Sequence, residues 1–282
     1  MEVFKTKSAL KAFLKPLKAS AKKIAIVPTM GALHNGHISL IDLAREQADI
    51  IICSIFVNPT QFTDPKDLEK YPRPIDHDLA MLADAGCHGV FMPDVSEMYP
   101  QGSENENWHI DLGNAEFLLE GAFRKGHYQG VTQIVKKLFD AVGPDVAMFG
   151  QKDFQQVLMI KNMVAHFDLP ITIITCPIIR EEDGLAMSSR NIHLSPADHE
   201  NALVLSKSLQ FVVNHFADYS LSELEEKAIS FYKNMEGVEL DYFIIANGNT
   251  LEPAESKEET SLVALVAAKV GATRLIDNMI IK

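Results

Sequence analysis

Residues 24–57 read IAIVPTMGALHNGHISLIDLAREQADIIICSIFV, and this stretch decides the fold. A compact apolar run, 24–27, is followed by a loop rich in turn residues. Residues 37–48 then place apolar side chains at helical spacing, and a second apolar run, 49–57, follows. Short apolar runs on either side of an amphipathic helix predict a strand, a loop, a helix and a second strand.

The same order recurs along the chain, after a first helix whose apolar residues recur between positions 4 and 17. Strands that are apolar throughout, separated by amphipathic helices, are typical of a mainly parallel sheet with helices on both faces. We therefore predict a Rossmann-like α/β fold. The further predicted segments are helix 76–85, strand 89–92, a helix from 131, strand 146–149, helix 154–167 and strand 171–179.

The pattern changes after the loop 180–193. A helix is expected from Ser195-Pro196, because Ser favours the N-cap and Pro the first helical position. A second helix is expected after Ser222. Three strand-like runs, 240–246, 261–270 and 273–281, then follow without helices between them, as in antiparallel pairing. We predict two domains, residues 1–180 and a smaller α+β lid domain, residues 181–282.

Composition limits the possible functions. The chain has 26 Lys and Arg against 38 Asp and Glu, and its net charge of −12 argues against sequence-independent binding of nucleic acid. Cys53, Cys87 and Cys176 lie in apolar runs, which indicates core thiols in a reducing compartment. Neither a signal-peptide pattern nor an apolar stretch of roughly 20 residues is evident. We expect a cytoplasmic protein without membrane contact.

The loop 28–37, PTMGALHNGH, is the first candidate site. Gly31 and Gly36 allow close approach of backbone to a ligand, and a helix N-terminus attracts phosphate. His34 and His37 are spaced to donate hydrogen bonds to charge that develops there. Taken alone, the loop also fits a turn with two solvated histidines, or a metal pair, although no His-Glu-x-x-His pattern supports the metal.

Two further loops carry candidate phosphate ligands. The segment 187–191, MSSRN, offers two hydroxyls and a guanidinium, which are suited to triphosphate oxygens, although for the segment taken alone a polar turn is the favoured interpretation. Lys152 follows a predicted strand in 149–156, FGQKDFQQ. In that segment Asp153 and Gln156 have the spacing of a capping box, which leaves open a purely structural role.

The loops 28–37 and 187–191 together resemble the HIGH and KMSKS signatures of the nucleotidyltransferase superfamily, whose members bind ATP. Ala186 stands where that second signature has Lys, so Lys152 is the candidate for a phosphate-binding lysine. Seven segments also resemble the pantothenate synthetase family in order and spacing. They are PTMGALHNGH (28–37), SIFVNPTQF (54–62), YPR (71–73), LEG (119–121), GHYQGV (126–131), FGQKD (149–153) and REEDGLAMSSRN (180–191).

This resemblance implies a role for individual residues. The catalytic set would be His34, His37, Lys152, Ser188, Ser189 and Arg190. The ATP-binding set would be Met30, Gly31, His34, His37, Gly150, Lys152, Asp153, Ile179, Met187, Ser188, Ser189 and Arg190. Pantoate would contact Pro28, Thr29, Met30, Gln61 and Gln156, and β-alanine would contact Gln61.

The resemblance also implies the reaction. ATP, accompanied by Mg²⁺, would activate (R)-pantoate as pantoyl adenylate, and β-alanine would then displace AMP to give pantothenate for coenzyme A synthesis, in a homodimeric enzyme. Asp78 is either a Mg²⁺ contact or an exposed acid at a helix start. This chain departs from the family pattern at His77, where the family usually has an acidic residue.

Two rival functions are open on the sequence. The first is an adenylyltransferase of the same superfamily that acts on a phosphate acceptor, which would retain the adenylyl group in its product instead of releasing AMP. Such an enzyme needs cationic groups for its acceptor, whereas Gln61 and Gln156 suit a carboxylate. The second is a nucleotide-sensing module, which would bind ATP without turnover of any carboxylate.

Overall fold

The computed structural model describes residues 1–62, 65–102 and 107–282, except for the side chains of residues 65 and 67. The chain divides into two compact units. The N-terminal unit contains residues 1–150 and 156–176, and the C-terminal unit contains residues 151–155 and 177–282. The division therefore falls slightly before residue 180, and the short segment 151–155 groups with the C-terminal unit, which the sequence pattern did not indicate.

A six-stranded sheet forms the centre of the N-terminal unit, with the order β1-β4-β3-β2-β5-β6. Every strand pair in it is parallel. This sheet confirms the predicted α/β class. Its strands are β1 (Glu2–Phe4), β2 (Ile24–Thr29), β3 (Ile50–Ile55), β4 (Gly89–Phe91), β5 (Val146–Gly150) and β6 (Thr172–Cys176).

Helices cover both faces of this sheet. Ala25 and Val27 of β2 pack in a cluster with Leu40 and Ile41 of α2, and the alternating residues of β2 that face the other way are buried as well. Burial on both faces explains why the strands read as continuous apolar runs. The helices are α1 (Lys7–Ala19), α2 (Asn35–Gln47), α3 (Pro65–Lys70), α4 (Ile75–Asp84), α5 (Val95–Met98), α6 (Glu120–Phe123), α7 (His127–Val142) and α8 (Phe154–His166).

Strand β1 is an element that the sequence pattern missed. Glu2, Val3 and Phe4 pair with Gly89, Val90 and Phe91 at the edge of the sheet, whereas the periodicity places Phe4 in the first helix. Helix α1 instead begins after Thr6, whose side chain accepts from the Ala9 N–H. Three residues are too few for a strand period to show in the sequence.

The C-terminal unit packs two helices, α9 (Pro196–Asn214) and α10 (Leu221–Ser230), with a three-stranded antiparallel sheet. Its strands are β7 (Val238–Asn247), β8 (Leu262–Val270) and β9 (Thr273–Ile280). Ser195 caps α9 as predicted, with Pro196 at the first position. The expected start of α10 after Ser222 is wrong. Ser220 is the N-cap, and it exchanges hydrogen bonds with Glu223 in a capping box.

All three cysteines are buried and unpaired, as expected of core thiols. Within the described ranges, no helix is both long enough and apolar enough to cross a membrane.

Candidate active site

The loop between β2 and α2 takes a tight path that depends on left-handed backbone. Gly31 has φ +81°, and Ala32, which follows it, has φ +52°. A Cβ atom at Gly31 would lie 2.9 Å from the Asp78 carboxylate and 3.2 Å from Ile55. Glycine is therefore required here both for its conformation and for the close approach.

Asp78 of α4 holds this loop through hydrogen bonds to its backbone. Its two carboxylate oxygens accept the N–H groups of Ala32 and Leu33, each at 2.8 Å. The side chain is fully buried. Asp78 is therefore not an exposed helix-start acid, and burial of its charge is balanced by two backbone donors.

His34 and His37 organise the start of α2. His34 is the N-cap, and its Nδ1 accepts the Gly36 N–H at 3.1 Å, while Nδ1 of His37 accepts the His34 N–H at 3.3 Å. The two ring centroids lie 4.1 Å apart. Since Nδ1 acts as the acceptor in both rings, the proton of each neutral imidazole is on Nε2. The pair thus offers two Nε2–H donors at a helix N-terminus.

The predicted pantoate residues Met30 and Gln61 lie in contact. Gln61 is the buried last residue of a short 3₁₀ helix after β3, and its Nε2 donates to Sδ of Met30 at 2.9 Å. Thr29 donates from Oγ1 to the Ser54 carbonyl at 2.6 Å, which ties the end of β2 to β3. Gln156 lies half-buried in the first turn of α8.

A buried network holds Gln61 in place, and sequence reasoning assigned its members no role. Asn58 donates to Oε1 of Gln61 at 3.3 Å and to the Gly130 carbonyl at 3.1 Å, and it accepts from the Tyr99 hydroxyl at 2.8 Å. Nδ1 of His127 bonds to the Gln61 carbonyl at 2.7 Å. Asn58, His127 and Gly130 belong to the family-like segments 54–62 and 126–131, and that membership is the signal that could have found them.

In the C-terminal unit, the predicted ATP loop is a compact turn. Met187 N–H donates to the Ile179 carbonyl at 3.0 Å, and Arg180 and Ala186 form an antiparallel bridge. Asn191 donates to the Ala186 carbonyl at 3.1 Å. These bonds hold the backbone of the turn, from which the half-buried side chains of residues 187–190 project.

Lys152 and Ser188 line the same small pocket of the C-terminal unit. The structure therefore brings together the two candidate phosphate loops that are far apart in the chain. Gly150 ends β5, and Asp153 is exposed. The pocket residues that matter here are Lys152, Ala186, Ser188, Asn191, Ile276 and Asp277.

One group of possible metal ligands, Glu181, Asp183 and His199, was found in the part of the chain that the structure describes. His199 Nε2 lies 2.6 Å from Asp183 and 3.9 Å from Glu181. The His199 hydrogen bond, together with the Leu185 N–H, lowers the pKa of Asp183. The hydrogen bond between His199 and Asp183 accounts for this group, so we assign no metal ion to it.

Comparison with known proteins gives a consistent result. The family model described as pantoate-beta-alanine ligase matches residues 2–280. The pantothenate synthetase of Bacteroides thetaiotaomicron is 46% identical over 280 residues, which cover 99% of this chain and 98% of that protein. The pantothenate synthetase of Acetivibrio thermocellus is 44% identical over 284 residues, which cover 100% of both.

Solved structures agree. The pantothenate synthetase from Thermus thermophilus has a TM-score of 0.92 and 36% identity, with 100% of this chain and 99% of that chain covered. The pantoate-beta-alanine ligase from Francisella tularensis, whose crystal structure is described as complexed with beta-gamma ATP and beta-alanine, has a TM-score of 0.81 and 34% identity. It covers 99% of this chain and 97% of its own.

Proposed function

The chain belongs to the pantoate–β-alanine ligase family, and we propose that it forms pantothenate through a pantoyl-adenylate intermediate. ATP-dependent ligation of pantoate and β-alanine is the activity of this enzyme. The intermediate and the role of each residue are our proposal. The observation that carries it is the imidazole pair of His34 and His37, which forms a capping box at the start of α2 and bears Nε2–H donors.

We assign the phosphoryl-transfer chemistry to this pair. When the pantoate carboxylate attacks the α-phosphorus of ATP, negative charge accumulates on the phosphate oxygens. Preorganised Nε2–H donors stabilise that charge, because the hydrogen bonds at Nδ1 fix the orientation of both rings in advance. His37 is proposed as the main donor. Met30 and Gly31, which lie in the same loop as the two histidines, would also contact the nucleotide.

We assign pantoate to the amide of Gln61, with Pro28, Thr29, Met30 and Gln156 as further contacts. A neutral amide suits this substrate, since a cation would lower the nucleophilicity of the carboxylate that must attack. The contact between Gln61 and Met30 supports a shared role for these two. Gln61 would also border β-alanine.

The C-terminal unit is proposed to bind the ATP phosphates through Lys152 and the loop 187–190. The shared pocket of Lys152 and Ser188 supports this assignment, and Lys152 supplies the charge that Ala186 lacks. The full proposed nucleotide set of this region is Gly150, Lys152, Asp153, Ile179, Met187, Ser188, Ser189 and Arg190. We further propose that residues 181–282 act as a lid domain that shields the adenylate from water.

Both proposed steps exchange one bond for another. A pantoate carboxylate oxygen bonds to the α-phosphorus, and the bond from that phosphorus to the bridging oxygen breaks, which releases pyrophosphate. The uncharged amine of β-alanine then attacks the acyl carbon. The bond from that carbon to the phosphate oxygen breaks, AMP leaves, and the amine nitrogen loses a proton.

Mg²⁺ is proposed to accompany the ATP phosphates as their counter-ion. The Mg²⁺ contact of Asp78 stays a prediction, and it would require a carboxylate oxygen to give up the N–H group of Ala32 or Leu33. A homodimer in the cytoplasm likewise stays an expectation from the family.

Omission assays test the proposal. Purified protein with ATP, Mg²⁺, pantoate and β-alanine should yield AMP, pyrophosphate and pantothenate, and should yield none of them without pantoate. Pantoate with ATP alone should support exchange of labelled pyrophosphate into ATP, since the adenylate forms before β-alanine reacts. Pantothenate formation without any such exchange would contradict the adenylate. A product that retains the adenylyl group would favour the rival adenylyltransferase.

A further inference from the structure

Two adjacent polar residues of β9, Asp277 and Asn278, are buried in the C-terminal unit, with 3% and 1% of their surface exposed. Polar groups are rarely buried to this degree unless they are hydrogen-bonded. Successive side chains of a strand point to opposite faces of the sheet, so the two residues reach different parts of the unit. Asp277 bonds to Arg180, which precedes the loop 187–190, and Asn278 bonds to the segment that carries Lys152.

Asp277 holds the start of the loop that leads to residues 187–190. Its carboxylate accepts hydrogen bonds from Nη1 and Nη2 of Arg180, at 2.7 and 3.0 Å, in a bidentate ion pair. Arg180 also donates to the Gly184 carbonyl at 3.1 Å. One buried carboxylate thus fixes the turn immediately before Met187.

Asn278 holds the segment that carries Lys152. Its Nδ2 donates to the carbonyl oxygens of Gln151 and Lys152, each at 3.0 Å, and its Oδ1 accepts from Nε2 of Gln151 at 3.0 Å. A primary amide provides both donors and an acceptor, and all of them are used here. These bonds explain why residues 151–155 group with the C-terminal unit.

We propose that Asp277 and Asn278 are positioning residues for the ligation reaction, which set the Lys152 ammonium and the loop 187–190 in register for the ATP phosphates. This inference rests on the proposed ATP-binding role of Lys152. In this proposal Asp277 and Asn278 act through the backbone or side chain that each of them holds. A displacement of a phosphate-binding group by about 1 Å lowers a rate by as much as about a hundred-fold, so a fully bonded anchor in the third strand of the unit controls turnover.

The test is Asn278→Asp, which keeps the size of the side chain but turns a carboxylate oxygen toward two carbonyls. We expect pantoate-dependent pyrophosphate exchange to fall about ten- to hundred-fold, with the KM for β-alanine unchanged. The matched control is Asp241→Asn. It weakens the 2.6 Å pair between Asp241 of β7 and Arg274 of β9, which lies in the same sheet, and should leave exchange unchanged.

A double-mutant cycle distinguishes positioning from a general structural role. If Asn278 acts through Lys152, then Asn278→Asp has little further effect on exchange once Lys152→Ala is present, so the losses do not multiply. Full multiplication of the two losses would overturn the inference, as would unchanged exchange in folded Asn278→Asp. Unchanged exchange in Lys152→Ala alone would instead reject the proposed role of Lys152.

A second variant keeps the test decisive if Asn278→Asp does not fold. Gln151→Met removes the bond to Oδ1 of Asn278 from the loop side and leaves β9 intact. We expect a smaller loss of exchange, about three- to ten-fold, because the bonds from Nδ2 to the two carbonyls remain. Exchange equal to that of the unmodified enzyme would count against the anchor.

Discussion

At the residue scale, the two imidazoles of loop 28–37 make the sharpest prediction. His37→Ala should lower pantoate-dependent pyrophosphate exchange by about 10²- to 10³-fold, because one preorganised donor to the developing charge is lost. The helix should survive, since His34 caps it with its own Nδ1. Unchanged exchange in a folded His37→Ala protein would remove the catalytic assignment. The exposed His77 of α4 is the control, and His77→Ala should leave exchange as it was.

A second prediction at this scale concerns Asp78. Asp78→Asn places an amide donor against the N–H of Ala32 or Leu33, in a site that is buried from solvent. We expect a loss of unfolding free energy of about 1–3 kcal/mol, measured by denaturant titration, and slower pyrophosphate exchange. Asp84→Asn changes an exposed acid of the same helix and should have little effect on either. Equal stability of the two variants would show that Asp78 does not fasten the loop.

The sequence identified the histidines but not the residues that hold them and their neighbours. His34 and His37 stand out because glycines surround them between a strand and a helix. Asp78 and Asn278 have no comparable signal, since their partners lie far away in the chain and contact depends on the completed fold. Their roles follow only from coordinates.

At the scale of elements, the contact between α7 and the 3₁₀ helix before Phe62 determines the position of Gln61. A Cβ atom on Gly130 would lie 2.4 Å from the Thr60 carbonyl oxygen. Gly130→Ala therefore forces the two elements apart. We expect a stability loss of about 1–3 kcal/mol from overpacking and a raised KM for pantoate, because Gln61 moves with Thr60.

Steady-state kinetics and thermal unfolding together test this contact. Asp140→Ala is the control, since it removes a surface ion pair with Lys136 on the same helix, with a distance of 2.7 Å, and should leave the KM for pantoate unchanged. A Gly130→Ala enzyme that is destabilised but has an unchanged KM for pantoate would separate this packing from substrate binding.

Periodicity predicted the long elements well for a physical reason. Strands buried on both faces and helices with one apolar face leave a regular pattern, as in β2 and α2. Element starts that depend on a single cap leave no such regular pattern. Ser220 and Ser222 are both residues that favour the N-cap position. The two hydrogen bonds that Ser220 exchanges with Glu223 select Ser220.

At the scale of the whole molecule, the two sheets followed from the arrangement of apolar runs, whereas membership of 151–155 in the C-terminal unit did not. That segment continues directly from β5, so its place along the chain suggests the N-terminal unit. Its hydrogen bonds to Asn278 decide otherwise. The local pattern of apolar residues thus predicts the two sheets and their helices. Hydrogen bonds between residues far apart in the chain determine to which unit a short connecting segment belongs.

The three thiols report on the integrity of the N-terminal unit as a whole. Burial raises the pKa of Cys53 and Cys87, and it raises that of Cys176 from 9.0 to about 11. The thiolate is the reactive form. We therefore expect no reaction with a disulfide reagent at pH 8 in the folded protein and three reactive thiols after denaturation. Rapid native-state labelling would show that the sheet opens locally.

The same burial makes stability depend on pH. Because the folded pKa of Cys176 exceeds its unfolded value, the neutral thiol stabilises the fold fully below pH 9, and this contribution is lost as pH rises from 9 to about 11. Cys176→Ala lacks this contribution. The difference in unfolding free energy between the unmodified protein and Cys176→Ala should accordingly narrow across that window, while other titrating groups cancel in the comparison. A difference that stays constant from pH 8 to 11 would mean that the thiol ionises as easily in the fold as in the unfolded chain.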